Sequence, residues 1–166
     1  MTDYTFNDDL YKECLKLSMN SGSDVIRFGS LLLKNKKVIG RGWNRLAKKE
    51  FPINMGYANH AEVMAMNDAL LNNLDIKGGE IYVGGYFPSD NTLYVPKEAF
   101  FTCTRCPIYF EKYGIEKISV HSYSGWEKLS LNQARNTAKK FMGNTHEKRI
   151  NLGKSSIDIN VFLSGF

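Results

Sequence analysis

Nothing in this chain reads as a membrane span or a secretion leader. No apolar run approaches the roughly 20 residues a bilayer-crossing helix needs. The first twenty residues are polar and carry acids, without a basic start followed by an apolar stretch. Cysteine is scarce: three residues, an odd count, which excludes a disulfide-stapled scaffold. Repeats and low-complexity tracts are missing too, which argues against solenoids, fibres and long disorder. The expectation is a soluble, intracellular, cytoplasmic protein with no membrane partner.

What is present suits one folded unit. A chain of 166 residues can bury about two-thirds of the surface its unfolded form exposes. The apolar and charged fractions, 43% and 23%, lie near globular averages. A single domain over 1–166 is expected, with a core over about 25–121 and a C-terminal helix and tail over 122–166. The net charge of +5 is unevenly spread: residues 34–49 hold seven Lys or Arg and no acid, and a second basic stretch runs from Arg135 to Lys154. Such clusters suit an anionic partner, a nucleotide phosphate or a polynucleotide, or else form a solvated face.

Along the chain, Asn7-Asp8-Asp9 marks a helix start, with Leu10, Cys14 and Leu17 at helical spacing and a stop at Ser21-Gly22-Ser23. Val25 to Leu33 and Val38 to Trp43 read as a hairpin across Lys34-Asn35-Lys36-Lys37. Asn59 is the expected cap of a helix carrying Val63, Met64, Met66, Leu70 and Leu71. Glu80 to Phe87 and Thr92 to Val95 read as strands, then Thr104 to Tyr113 as a helix closed by Gly114, and Ile115 to Val120 as a strand. Trp126 to Met142 is expected to be helical, and Ile157 to Val161 alternates like an edge strand or forms an irregular tail. This alternation predicts an α/β fold with helices packed on a central mixed sheet.

The chemistry concentrates in two distant pieces. His60-Ala61-Glu62 opens one apolar run and Cys103-Thr104-Arg105-Cys106 opens the other. A lone C-x-x-C could be a redox pair or half of a structural zinc site, but no fourth ligand stands at ligand spacing: His121 and His146 fit neither half. Zinc takes thiolate and imidazole donors in a tetrahedron, and three protein ligands leave one corner for water. Glu62 would then move protons rather than bind metal, and H-x-E with a remote C-x-x-C is the recorded pattern of zinc deaminases. Both halves are expected at helix N-termini, where exposed amides favour thiolate over thiol.

On these residues, and over roughly Val25 to His121, the chain resembles the cytidine and deoxycytidylate deaminase superfamily. The resemblance implies a three-layer α/β/α fold, Zn2+ held by His60, Cys103 and Cys106, and Glu62 as proton shuttle. It also implies that Asn44 contacts the sugar of the substrate and that the backbone amide of Ala61 contacts the base. Two features depart from the pattern. Thr102 stands where these enzymes usually have proline, with Pro107 early in the following helix, and residues 86–101 lengthen the link to the cysteines.

For the substrate, a free nucleotide such as dCMP comes first, its phosphate met by some of Arg41, Arg45, Lys48, Lys49 and Arg105. A tRNA-editing adenosine deaminase is the second reading, because Gly42-Trp43-Asn44-Arg45 also resembles that branch and basic patches could follow an RNA backbone. A zinc-stabilised binding module without turnover is the third. Phe101, Tyr57 and Trp43 offer stacking surfaces for a base. Relatives of this kind form oligomers, so a homo-oligomer is expected.

Overall fold

The computed structural model describes residues 9–98, 100–101, 103–140 and 146–165. The chain opens with helix α1 (Asp9–Ser18), whose buried stripe is Tyr11, Cys14, Leu15 and Ser18. That stripe is rotated slightly from the expected line, leaving Leu10 and Leu17 partly buried at its edge. Residues 7 and 8 of the expected cap lie outside the described residues.

Strands β1 (Arg27–Lys34) and β2 (Lys37–Trp43) form the expected antiparallel hairpin. Asn35 and Lys36 turn it at φ 52° and 66°, the left-handed pair that a two-residue turn needs to match strand twist. A separate two-stranded ribbon, β3 (Arg45–Leu46) with β4 (Ala58–Asn59), leads into helix α2 (Ala61–Leu71). Strands β5 (Glu80–Phe87) and β6 (Thr92–Tyr94) follow, then helix α3 (Cys106–Tyr113), closed by Gly114 at φ 75°. Its expected start at Thr104 moves to Cys106, and Pro107 lies in the first turn, where an amide has no helical partner to lose.

From β7 (Lys117–Ser122) onward the structure departs from the sequence reading. Trp126 to Ser130 is not helical: strand β8 (Gly125–Ser130) returns antiparallel along β7, and the helix, α4, spans Leu131–Lys140. Two local features explain the switch. Gly125 sits at φ 100° in the turn, and Ser130 and Gln133 cap the helix start reciprocally. The Gln133 amide donates to Ser130 Oγ at 3.1 Å, and the Ser130 amide donates to Gln133 Oε1 at 2.8 Å. The end of the expected helix, at 141–142, lies outside the described residues.

The tail is neither a helix alone nor irregular. A short helix, α5 (His146–Asn151), leads to strand β9 (Lys154–Asp158) and helix α6 (Ile159–Gly165). The expected strand at 157–161 is therefore displaced toward the N-terminus. Asp158 ends it by capping α6, accepting from the Asn160 and Val161 amides at 2.8 and 3.1 Å.

Seven strands form one sheet. β5 pairs antiparallel with β1 along one edge. Its other edge is shared: residues 80–83 run parallel to β7, and residues 85–87 pair antiparallel with β6, which continues to β9. The sheet is therefore mixed, as expected. Alternate residues separate the two helical layers. Leu31, Leu33 and Tyr82 pack with Cys14 of α1, while Leu32, Ile81 and Val83 pack with Val63, Ala65 and Met66 of α2 and Phe110 of α3. Ile159 and Phe162 of α6 join Tyr11 on the α1 side. This is the three-layer α/β/α arrangement.

Helix α2 lies close on β2 because Gly40 and Gly42 present no side chain to it. A methyl group at Gly42 would meet the backbone of Met64 and Ala65. Among the described residues, no helix is long and apolar enough to cross a membrane.

Candidate active site

The site forms where α2 and α3 begin, beside a cavity lined by Phe28 of β1, Val83 of β5 and Val120 of β7. Asn59 is not the cap of α2. His60 is, at φ −74° and ψ 158° and without a side-chain cap bond. Asn59 is instead buried and holds the approach loop: its Oδ1 accepts from the Met55 amide at 2.8 Å and its Nδ2 donates to the Ile53 carbonyl at 2.9 Å. Buried Asn67 of α2 grips the same loop, accepting from the Ile53 amide at 2.7 Å and donating to its carbonyl at 2.9 Å. Two buried amides thus fix the backbone that presents His60. From the other half-site, the Arg105 guanidinium donates to the Met55 carbonyl, tying the two pieces of chain together.

The three metal-binding candidates converge. Donor atoms of His60, Cys103 and Cys106 all lie within 4.8 Å of one another, and no other cluster of three or more metal-binding side chains occurs among the described residues. His60 Nδ1 is 3.2 Å from Cys106 Sγ, and the Cys106 amide donates to Cys103 Sγ at 3.3 Å. A tetrahedral zinc shell with bonds of about 2.0–2.3 Å places its donors roughly 3.5–3.8 Å apart, so His60 Nδ1 and Cys106 Sγ, at 3.2 Å, need only separate slightly, and every other donor pair already lies within 4.8 Å. The donor set of one imidazole and two thiols fits zinc, and among the described residues no fourth side chain joins the cluster.

Electrostatics prepare the thiols. Hydrogen bonding from the Cys106 thiol, aided by the His60 ring, holds the Cys103 thiol well below its ordinary pKa. Burial, and then the charge on Cys103, raise the Cys106 thiol well above its ordinary value. For the His60 ring, burial favours the neutral form, but the bond to Cys103 and the charges of Cys103 and Glu62 outweigh it and raise the pKa. Binding of a metal ion would therefore expel protons from this cluster. Glu62, in the first turn of α2 and only 6% exposed, is pushed up to about 6 by burial.

A cavity of about 980 Å³ opens over the cluster, with His60, Glu62 and Cys103 on its wall. The remaining candidates fall into place around it unevenly. Asn44, Arg45 and Phe101 line the cavity. The Asn44 side chain also clamps the entry to β1, accepting from the Phe28 amide at 2.9 Å and donating to the Ile26 carbonyl at 3.0 Å. Phe101 is 2% exposed and meets Phe110 edge to face. Ala61 is the buried first residue of α2. Arg105 is not on the cavity wall; it is engaged with Met55. Tyr57 stands at the rim, 85% exposed, whereas Trp43 faces the Arg45 guanidinium at 5.8 Å. Thr102 lies outside the described residues.

Of the basic run, Arg41 is paired with Glu13 at 2.7 Å and Lys34 with Asp75 at 3.2 Å, while Lys48 lines the cavity. The sequence reading does not single out Tyr94 and Ile150, which both form part of the cavity wall and belong to one buried cluster with Ile26 and Phe87. Tyr94 comes from β6, in the lengthened link, and Ile150 from α5. No periodicity in either stretch points to the pocket, because only the pairing of β9 with β6 brings them together.

Among curated proteins, none matches the chain in sequence. The chain is similar in structure to a dCMP deaminase from the cyanophage S-TIM5. The apo form matches with 19% identity over 68% of this chain and 79% of that one, at a TM-score of 0.48. The form in complex with dCMP and dUMP matches with 19% identity over 66% and 76%, at 0.46. A diaminohydroxyphosphoribosylaminopyrimidine deaminase/reductase from Thermotoga maritima matches with 18% identity over 78% of this chain and 32% of that one, at 0.41. The model of the cytidine and deoxycytidylate deaminase zinc-binding region matches residues 5–122, a span that contains His60, Glu62, Cys103 and Cys106. The chain belongs to the cytidine and deoxycytidylate deaminase zinc-binding family.

Proposed function

We propose that this protein hydrolytically deaminates the cytosine of a free nucleotide, dCMP first, to uracil and ammonia. The observation that carries the reading is the buried Glu62 carboxyl on the wall of the same cavity as His60 and Cys103, with Arg45 and Lys48 on that wall too. His60, Cys103 and Cys106 would hold zinc, which supplies Lewis acidity that activates a water for attack on the base.

The chain's own groups would do the rest. Glu62 takes one proton from the attacking water and delivers it to the ring nitrogen. It then takes the second, from the hydroxyl now bonded to the ring carbon, and delivers it to the amine as the carbon–nitrogen bond breaks and ammonia leaves. Phe101 presents an apolar wall to the base. Ala61 contributes an amide that, in the first helical turn, has no intrahelical partner. Asn44 faces the sugar while bracing β1. Arg45 and Lys48 meet the phosphate, and Arg105 supports the site through the loop it binds. A homo-oligomer remains part of this proposal.

Ammonia release from cytidine, CMP, dCMP, dCTP, cytosine, adenosine and a tRNA anticodon loop tests it. Turnover of dCMP without turnover of the RNA is the expected result. Deamination of adenosine in the RNA alone would replace the proposal with RNA editing. Absence of any turnover by zinc-loaded protein would leave a binding module.

A further inference from the structure

Resting on the nucleotide reading above, we infer that Trp43 and Phe51 are positioning residues: they hold the Arg45 guanidinium between two rings as a preset receptor for the terminal phosphate. Arg45 differs from its neighbours in what it touches. Arg27 donates to the Ser23 carbonyl and the Tyr86 hydroxyl, Arg41 to Glu13, Arg105 to Met55 and Arg135 to Glu111. The Arg45 guanidinium has no hydrogen-bonded or carboxylate partner among the described residues. Its guanidinium carbon instead lies 5.5 Å from the Phe51 ring centroid and 5.8 Å from that of Trp43.

The backbone is built to make this arrangement. Arg45 pairs across the ribbon with Asn59, the residue before His60, so its position is fixed relative to the metal cluster. The loop then turns back on itself: the Phe51 amide donates to the Lys48 carbonyl at 3.1 Å, and Asn54 Nδ2 donates to the same carbonyl at 3.0 Å. That fold returns the Phe51 ring to Arg45. Ring faces attract the guanidinium without using its N–H donors, which stay available for a bidentate contact with phosphate oxygens. A side chain already restrained loses less freedom on binding, so the rings raise phosphate affinity without touching the ligand. Lys48 on the same wall adds a second charge.

The test compares binding of dUMP and deoxyuridine by calorimetry, with kinetics on dCMP and deoxycytidine, in the zinc-loaded protein. Wild type should bind dUMP at least about tenfold more tightly than deoxyuridine. Phe51→Ala should weaken dUMP by roughly three- to tenfold and raise KM for dCMP with kcat little changed, leaving deoxyuridine unaffected. Phe51→Trp should restore the lost affinity. Arg45→Ala should abolish the preference for dUMP, and Phe51→Ala should then add nothing. Arg45→Lys, which keeps charge and volume but not the planar fork, should lose most of the preference even if Phe51→Ala fails to fold.

Equal weakening of dUMP and deoxyuridine by Phe51→Ala would mean plain packing and overturn the inference. So would a full additional loss in the Arg45→Ala background, or no preference for dUMP in wild type. Loss of binding to an RNA oligonucleotide with dUMP unaffected would assign the arginine to a polymer backbone and overturn it as well. A retained preference for dUMP without turnover of any cytosine compound would refute the deaminase proposal while supporting the phosphate receptor.

Discussion

Replacing Gly42 with alanine tests how the fold sets the site. Gly42 lies on β2 under α2, and an added Cβ would stand 2.6 Å from the Met64 carbonyl carbon and 2.7 Å from its Cβ, with the Ala65 amide nitrogen nearer still. Ordinary contact begins near 3.4 Å, so the backbone of α2 would have to retreat by at least about 0.8 Å. The obstruction is backbone, which has no rotamer to change. Overpacking of this kind costs roughly 1–3 kcal/mol, and the upper end applies where a helix must move. For a chain of this length that is a fall in Tm of roughly 6–12 °C. Because His60 and Glu62 ride on the start of α2 while Cys106 opens α3 and Cys103 lies in the loop just before it, the same shift pulls the cluster apart. Misplacement near 1 Å costs about 100-fold in rate. Thermal melts, metal analysis and dCMP kinetics would read all three effects. Gly22→Ala is the stability control, since nothing lies within 4 Å of its added Cβ. A Gly42→Ala protein with unchanged Tm and full zinc content would refute the close approach of α2 to β2.

Two further perturbations separate chemistry from folding. Glu62→Gln should lower kcat by roughly 10²- to 10⁴-fold while zinc content and fold are retained, because the amide keeps the shape but cannot exchange the proton; unchanged kcat would remove Glu62 from the mechanism. Ser130→Ala removes one half of the cap on α4 and should cost about 1 kcal/mol, a drop of roughly 2–4 °C, with little change in kinetics; a melt identical to wild type would show that the cap contributes nothing.

The metal-binding cluster was legible in the sequence because its chemistry is a matter of residue type and short spacing: H-x-E caps and opens α2, and C-x-x-C ends on the first residue of α3. The hairpin of β1 and β2 was legible from its alternation and its polar turn, and β5 matched residue for residue. Trp126 to Ser130 reads as helix from sequence because the apolar residues there also suit a helix, yet it forms strand β8. The decisive signals were the glycine turn at Gly125 and the Ser130-x-x-Gln133 capping box, which divide strand from helix. Asn59 looked like a cap by residue type, but its amide is used on the preceding loop, a role that only the folded path of 53–59 creates. The wall formed by Tyr94 and Ile150, and the ring contacts of Arg45, depend on tertiary placement and leave no local trace.

Zinc-edge X-ray absorption of the metal-loaded protein tests the convergence of the two half-sites most directly. The expected spectrum has two sulfur scatterers at about 2.3 Å, one imidazole at about 2.0–2.1 Å and one further light-atom ligand, which exchanges when dUMP or an anion is added. A spectrum with a second imidazole, a third sulfur, or no sulfur at all would contradict a cluster of His60, Cys103 and Cys106 with one corner left for the reaction.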